Sequence, residues 1–69
     1  MVIMISRDKV KIGTTYICKY QYLSDDSIFE LTFLGFSDSG EFVKCSNING
    51  HMYWVKCEDY KIVDTVTSI

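Results

Sequence analysis

From residue 15 onward, apolar and polar positions alternate in short runs, and each run is closed by turn-forming residues. Tyr16–Tyr22 puts Tyr16, Cys18, Tyr20 and Tyr22 on one side and Ile17, Lys19 and Gln21 on the other, the two-residue period of a β-strand. Ser24-Asp25-Asp26-Ser27 is a polar loop, and Phe29–Phe36 is the next strand. Then come Ser37-Asp38-Ser39-Gly40, the strand Glu41–Ser46, Asn47-Ile48-Asn49-Gly50 and the strand His51–Lys56. A corner at Cys57-Glu58-Asp59, too short for an α-helix and too polar for a strand, suits a single 3₁₀ turn before the strand Tyr60–Val66. Upstream, Val10 and Ile12 alternate around Lys11, which predicts a short strand or extended lead-in, with Gly13 supplying a turn. No segment sustains a 3.6-residue apolar period, so a full helix is not expected.

The turns carry more detail than the strands. Ser37-Asp38-Ser39-Gly40 has the chemistry of a type I turn, with a short polar side chain first and glycine last. Asn49-Gly50 suits a type I′ hairpin, whose two central residues need positive φ. A two-residue loop there sets Cys45 opposite Trp54 and gathers Val43, Cys45, Met52 and Trp54 on one face. A three- or five-residue loop flips the pairing and groups Val43, Cys45, Tyr53 and Val55 instead. The second grouping is the expected core, leaving Phe42 and Trp54 as candidate outer-face aromatics. In Phe29–Phe36 the first half alternates while the second is apolar on both sides, as in a bent strand shared between two layers, and Gly35 is the place for a bend or bulge.

These elements predict an all-β domain: a small antiparallel barrel of about five strands with a short 3₁₀ turn before the last strand, spanning residues 1–69 as one unit. The order strand, loop, bent strand, tight turn, strand, tight hairpin, strand, corner, strand resembles the SH3-like barrel group, which includes Tudor-type and KOW-type domains. The resemblance is strongest from Phe33-Leu34-Gly35-Phe36-Ser37-Asp38-Ser39-Gly40 through Met52-Tyr53-Trp54-Val55 to Glu58-Asp59-Tyr60-Lys61-Ile62-Val63. The chain is also similar to short stand-alone proteins of bacteriophages and prophages of AT-rich bacteria. The resemblance implies a binding scaffold, and for a phage-like protein a host protein or complex that it binds and modulates. Binding of proline-rich peptides is not implied: the third strand starts with Glu41-Phe42 where those domains have Trp, and the chain has no proline. A Tudor-type aromatic cage would draw on Tyr20, Tyr22, Phe36 and Trp54 with Asp38 or Asn47, the cation–π geometry that holds methylated lysine.

Composition narrows the partner. Sixty-nine residues with 48% hydrophobic positions and ten aromatics are enough for a fold but only a small core, since a chain this short buries roughly 60% of its unfolded surface. Not all ten aromatics fit inside. Those left out, with Tyr20, Tyr22, Phe36, Phe42 and Trp54 as candidates, would form an interface for a protein partner. An exposed strand edge, Tyr16–Tyr22 or Tyr60–Val66, offers a second route, including homo-oligomerisation.

The net charge is −2 and unevenly placed: residues 1–22 carry +3, residues 23–69 carry −5. The basic segment, Arg7, Lys9, Lys11 and Lys19, with strand aromatics for stacking, is the alternative: a nucleic-acid-binding surface. The acidic remainder opposes it.

Chemistry of other kinds finds little support. His51 stands beside the hairpin turn with no partner to orient it as a base. Cys45, His51 and Cys57 lack the close cysteine pairs of a zinc site. Glu58-Asp59 and Asp25-Asp26 are adjacent acids whose side chains diverge in extended chain. No phosphate-cradling loop or nucleophile elbow occurs, so neither an enzyme nor a cofactor or metal is expected. Three cysteines without even pairing read as buried thiols in a reducing, cytoplasmic setting. The apolar run Met1–Ile5 is too short for a membrane span.

Overall fold

A computed structural model describes residues 3–25 and 27–65. It contains six antiparallel strands: β1 (Ile3–Met4), β2 (Thr15–Tyr20), β3 (Phe29–Phe36), β4 (Phe42–Ser46), β5 (Met52–Lys56) and β6 (Tyr60–Thr65). A 3₁₀ turn, Cys57–Asp59, stands before β6. The hydrogen-bonded order is β1-β6-β2-β3-β4-β5, so β2 to β5 form a meander and β6 returns beside β2. The all-β class, the five longer strands and the single 3₁₀ turn agree with the sequence pattern. The sheet does not close by hydrogen bonding, since β1 and β5 are its two edges.

One face of the sheet supplies the core. Leu31, Phe33, Val43, Cys18 and Cys45 are fully buried, joined by Ile5, Val10, Tyr16, Val55, Cys57 and Ile62. Those on the strands are inward positions of the two-residue period, while Ile5, Val10 and Cys57 come from the N-terminal segment and the 3₁₀ turn. Phe33 stacks on Tyr16 with ring centroids 5.5 Å apart, and the Tyr16 hydroxyl accepts the Lys11 amide at 2.9 Å. The buried tyrosine therefore keeps its polar end satisfied.

Two irregularities shape the sheet. Between β3 and β4 the pairing changes from Phe33↔Cys45 to Gly35↔Lys44, leaving Leu34 as an extra residue. This is the bulge expected at Gly35, and it reverses the parity of β3: Leu31 and Phe33 point inward before it, and Phe36, opposite Val43, points inward after it. A second register shift lies between Ile17 and Cys18 where β2 meets β6.

The hairpin joining β4 and β5 has the three-residue loop Ile48-Asn49-Gly50. The Asn47 amide donates to the His51 carbonyl at 3.0 Å, and the Gly50 amide to the Asn47 carbonyl at 3.0 Å. Gly50 has φ +82°, the left-handed residue that a type I turn needs to rejoin the ladder. The register is thus Val43↔Val55 and Cys45↔Tyr53, the second of the two groupings. In the preceding turn the Gly40 amide donates to the Ser37 carbonyl at 2.9 Å, the closing bond of a type I turn.

Three expectations need correction. The N-terminal strand is Ile3–Met4, not Val10–Ile12: Val10 is buried in a turn segment and Ile12 is exposed. The chain is held there by local bonds from the Lys9 and Val10 amides to the Ser6 carbonyl, which leave no extended ladder. Strand β2 ends at Tyr20, and Tyr22 lies in the turn beyond it. Neither Tyr16–Tyr22 nor Tyr60–Val66 is a free edge as proposed, because β2 lies between β6 and β3, and β1 pairs with Ile62 and Lys61 of β6. Val66, like Asp26, lies outside the described residues.

Candidate functional site

The outward face of β3, β4 and β5 carries the largest exposed side chains of the sheet. Across β4 and β5 the outward pairs are Phe42↔Lys56, Lys44↔Trp54 and Ser46↔Met52. Trp54 is 54% exposed, Met52 62% and Phe42 40%. Phe42 and Trp54 are diagonal neighbours on this face, a separation that aromatic side chains span. The extra residue of the bulge, Leu34, is also exposed. Beside it, Gly35 pairs with Lys44, and the space a side chain would take there is empty. The result is an apolar surface around Trp54 with a dip at Gly35, bordered by Lys44 and Lys56. The Lys56 ammonium pairs with the Glu58 carboxylate at 3.0 Å.

A second aromatic group sits where β2 ends and β6 begins. Tyr20 faces Tyr60 in register, with ring centroids 5.1 Å apart. Tyr22 packs edge-on against Tyr20 at 5.3 Å, and Phe29 against Tyr60 at 6.2 Å. Gln21 ties this corner to the 3₁₀ turn: its amide donates to the Asp59 carbonyl at 3.0 Å and its side-chain nitrogen to the Glu58 carbonyl. A groove of about 300 Å³ alongside is lined by Lys19, Tyr20, Gln21, Leu23, Lys61 and Val63.

The five candidate aromatics therefore do not form one site. Phe42 and Trp54 share the outward face of β4 and β5. Tyr20 and Tyr22 belong to the second group. Phe36 is turned inward by the bulge and is half-buried against the core, so it shares a face with neither group. The four-membered cage of Tyr20, Tyr22, Phe36 and Trp54 does not assemble, because its members lie on different faces and at different ends of the sheet. The sequence reading grouped Met52 with Trp54 on one face but did not count it among the interface candidates, and it missed Leu34 beside Trp54 and Phe29 and Tyr60 as companions of Tyr20. Strand register, fixed by the loop and the bulge, was the signal for Met52 and Leu34.

The basic residues are also divided. Arg7 reaches across the sheet to donate from its guanidinium to the Ser37 and Asp38 carbonyls, so it fastens a turn. Lys9 and Lys11 are exposed in the N-terminal segment. Lys19 stands opposite Lys61 on the outward side of β2 and β6. The Asp25 carboxyl is held below its ordinary pKa chiefly by the Ser27 amide, with Lys19 adding to the effect, so part of the Lys19 field falls on an acid.

Cys18, Cys45 and Cys57 are free and buried. Burial pushes the Cys18 thiol up to about 12 and the Cys45 thiol to about 11, which keeps both protonated and unreactive near neutrality. His51 is exposed at the hairpin. Among the described residues no group of three or more His, Cys, Asp or Glu could hold a metal ion, and no helix is long and apolar enough to cross a membrane.

No family model, curated protein or solved structure matches the chain.

Proposed function

We propose that this chain is a small, non-catalytic protein-interaction module whose binding surface is the outward face of β3–β5, centred on Trp54. The observation that carries this reading is the company Trp54 keeps: Phe42 and Met52 stand on the same face, all three exposed, while the opposite face of the same strands builds the core. Exposed aromatic and Met side chains grouped on a rigid sheet are the usual composition of an interface centre. The meander β2–β5, the 3₁₀ turn and the return of β6 beside β2 support the SH3-like reading of the scaffold. A phage-encoded protein that binds and modulates a host protein fits the resemblance, and three free buried thiols fit a cytoplasmic setting.

Nucleic-acid binding through Arg7, Lys9, Lys11 and Lys19 is the weaker reading. The Arg7 guanidinium is already engaged by backbone carbonyls, and Lys19 shares its field with Asp25.

The test compares wild type with Trp54→Ala, Phe42→Ala and Tyr22→Ala in affinity capture from bacterial lysate at native expression. A partner retained by wild type and Tyr22→Ala but lost from the other two is the expected result. Capture no better than background, or capture indifferent to Trp54 and Phe42, overturns it. Binding to oligonucleotides that weakens steeply with salt would favour the other reading.

A further inference from the structure

The two edges of the sheet are unlike. β1 is two residues long, which is one of the ways proteins blunt an edge against pairing. β5 is five residues long and pairs with β4 without any register shift. The chain has no proline to interrupt it. Its one charged residue, Lys56, lies at the end of the strand and is paired with Glu58. Among the described residues, the centre of the edge, Tyr53-Trp54-Val55, carries no charge, proline or bulge.

The direction of the β5 backbone groups follows from the ladder. Asn47 donates to the His51 carbonyl at 3.0 Å, and Cys57 donates to the Glu41 carbonyl at 2.8 Å. Bonded and non-bonded pairs alternate in an antiparallel ladder, so Tyr53 and Val55 bond to β4. The N–H and C=O groups of Met52, Trp54 and Lys56 therefore point out along the open edge. The edges do not meet at the far end either: a groove of about 240 Å³ separates Met4 and Ile5 from Lys56 and Cys57.

We infer that β5 pairs with β5 of a second copy, antiparallel and about a two-fold axis at Trp54, to give a reversible homodimer with one continuous sheet. This register is self-complementary. Trp54 meets Trp54 of the second copy in a bonded pair, and Met52 meets Lys56 at both ends. The two Lys56 ammonium groups are thus kept apart, where like charges directly opposite would destabilise the pair. Among the described residues β5 is the longer of the two edge strands, and a two-fold pairing occupies it in both copies, so the pairing closes at two copies and does not propagate into fibres. The outward apolar surfaces of the two copies, each with Phe42, Met52 and Trp54, become neighbours across the joint. Five residues of edge are a small contact by the standard of stable interfaces, so the dimer forms with rising concentration. The pairing uses the backbone groups of β5, whereas the proposed partner surface uses the outward side chains of the same strand.

Lys56→Pro is the discriminating variant. Lys56 has φ −80°, close to the value proline imposes, and its N–H faces outward, so the substitution spares the β4 ladder. It deletes one edge bond per copy and places a ring against the incoming strand. Lys56→Ala keeps the N–H and loses the same charge. Sedimentation equilibrium from micromolar to millimolar concentration should show the wild type and Lys56→Ala moving from 8.0 kDa toward twice that mass. Lys56→Pro should dimerise roughly thirtyfold more weakly or less, the loss expected for two hydrogen bonds. In the wild type, amide exchange at Trp54 and Met52 should slow as concentration rises while that at the already bonded Val55 does not change. This second measurement decides the matter even where Lys56→Pro fails to fold. A wild type that stays monomeric at millimolar concentration, a Lys56→Pro that dimerises as well as Lys56→Ala, or Trp54 exchange independent of concentration overturns the inference. None of these outcomes bears on capture of a partner by dilute protein.

Discussion

The side-chain carbonyl of Asn47 accepts the backbone amide of His51 at 3.1 Å. It also accepts the Asn49 amide at 2.9 Å, so one side chain spans the loop and fixes it at three residues. Loop length sets the register of β5, and register sets the face on which Trp54 stands. The site proposed for this protein thus depends on a turn that lies outside it.

Asn47→Ala removes the one oxygen that accepts both bonds and should lower stability by about 1 kcal/mol. Gly50→Ala places a side chain at φ +82° and should cost about 1–2 kcal/mol. Asn49→Ala, whose side chain has no such role, should stay within about 0.5 kcal/mol of wild type. Urea unfolding followed by circular dichroism measures all three. Equal midpoints for Asn47→Ala and wild type would show that the loop is set by something other than this side chain.

Trp54 is the only tryptophan, so its fluorescence reports its own surroundings. In dilute protein its emission should resemble that of a solvated indole, should be readily quenched by acrylamide, and should change little on unfolding. Trp54→Ala should then alter stability by no more than about 0.5 kcal/mol. Its neighbour Val55, 5% exposed, should cost about 2 kcal/mol when cut to alanine. A blue-shifted, quencher-resistant emission would place Trp54 in the core and remove the basis of the proposed surface.

Much of this arrangement was legible because strands and tight turns are local. The period of two in Tyr16-Ile17-Cys18-Lys19-Tyr20, the type I turn ending at Gly40 and the break at Gly35 each depend on adjacent residues. What the chain hid was non-local. Asn49-Gly50 suits both a two-residue and a three-residue loop, and the choice is made by the Asn47 side chain. The bulge at Leu34 turned Phe36 inward, although Phe36 looks in sequence like any other strand aromatic. The free edge depended on Ile3 finding Ile62 at the other end of the chain. The basic segment lost Arg7 to carbonyls thirty residues away, a contact no local pattern announces.

The buried thiols give the fold an alkaline limit. Burial raises Cys18 to about 12 and Cys45 to about 11 from an ordinary 9.0, so the native state holds these protons after the unfolded chain has released them. Stability from this source is complete below pH 9 and falls as pH rises through the native values, because the native state then binds more protons than the unfolded one. Chemical unfolding at stepped pH should show a steady loss from about pH 9 upward, and Cys18→Ala should flatten part of it. Alkylation at mildly alkaline pH should be slow in native protein and fast in urea. Rapid native labelling of Cys18 would mean that the core opens far more readily than its packing suggests.

Phe33 has no exposed surface and stacks on Tyr16 at the centre of the sheet's inner face. A domain of this length has roughly 3–10 kcal/mol of stability in all. Phe33→Ala leaves a cavity that β3 cannot collapse around, since Leu31 on one side and the bulge on the other hold it in register, and the cost should be about 3–5 kcal/mol. The variant should therefore lose most or all of its cooperative urea transition at room temperature. Phe33→Leu, which keeps most of the volume but not the ring contact, should cost about 1–2 kcal/mol and retain a cooperative transition at a lower midpoint. Comparable midpoints for Phe33→Ala and Phe33→Leu would contradict a core organised around this ring, because only the alanine variant empties the space beside Tyr16.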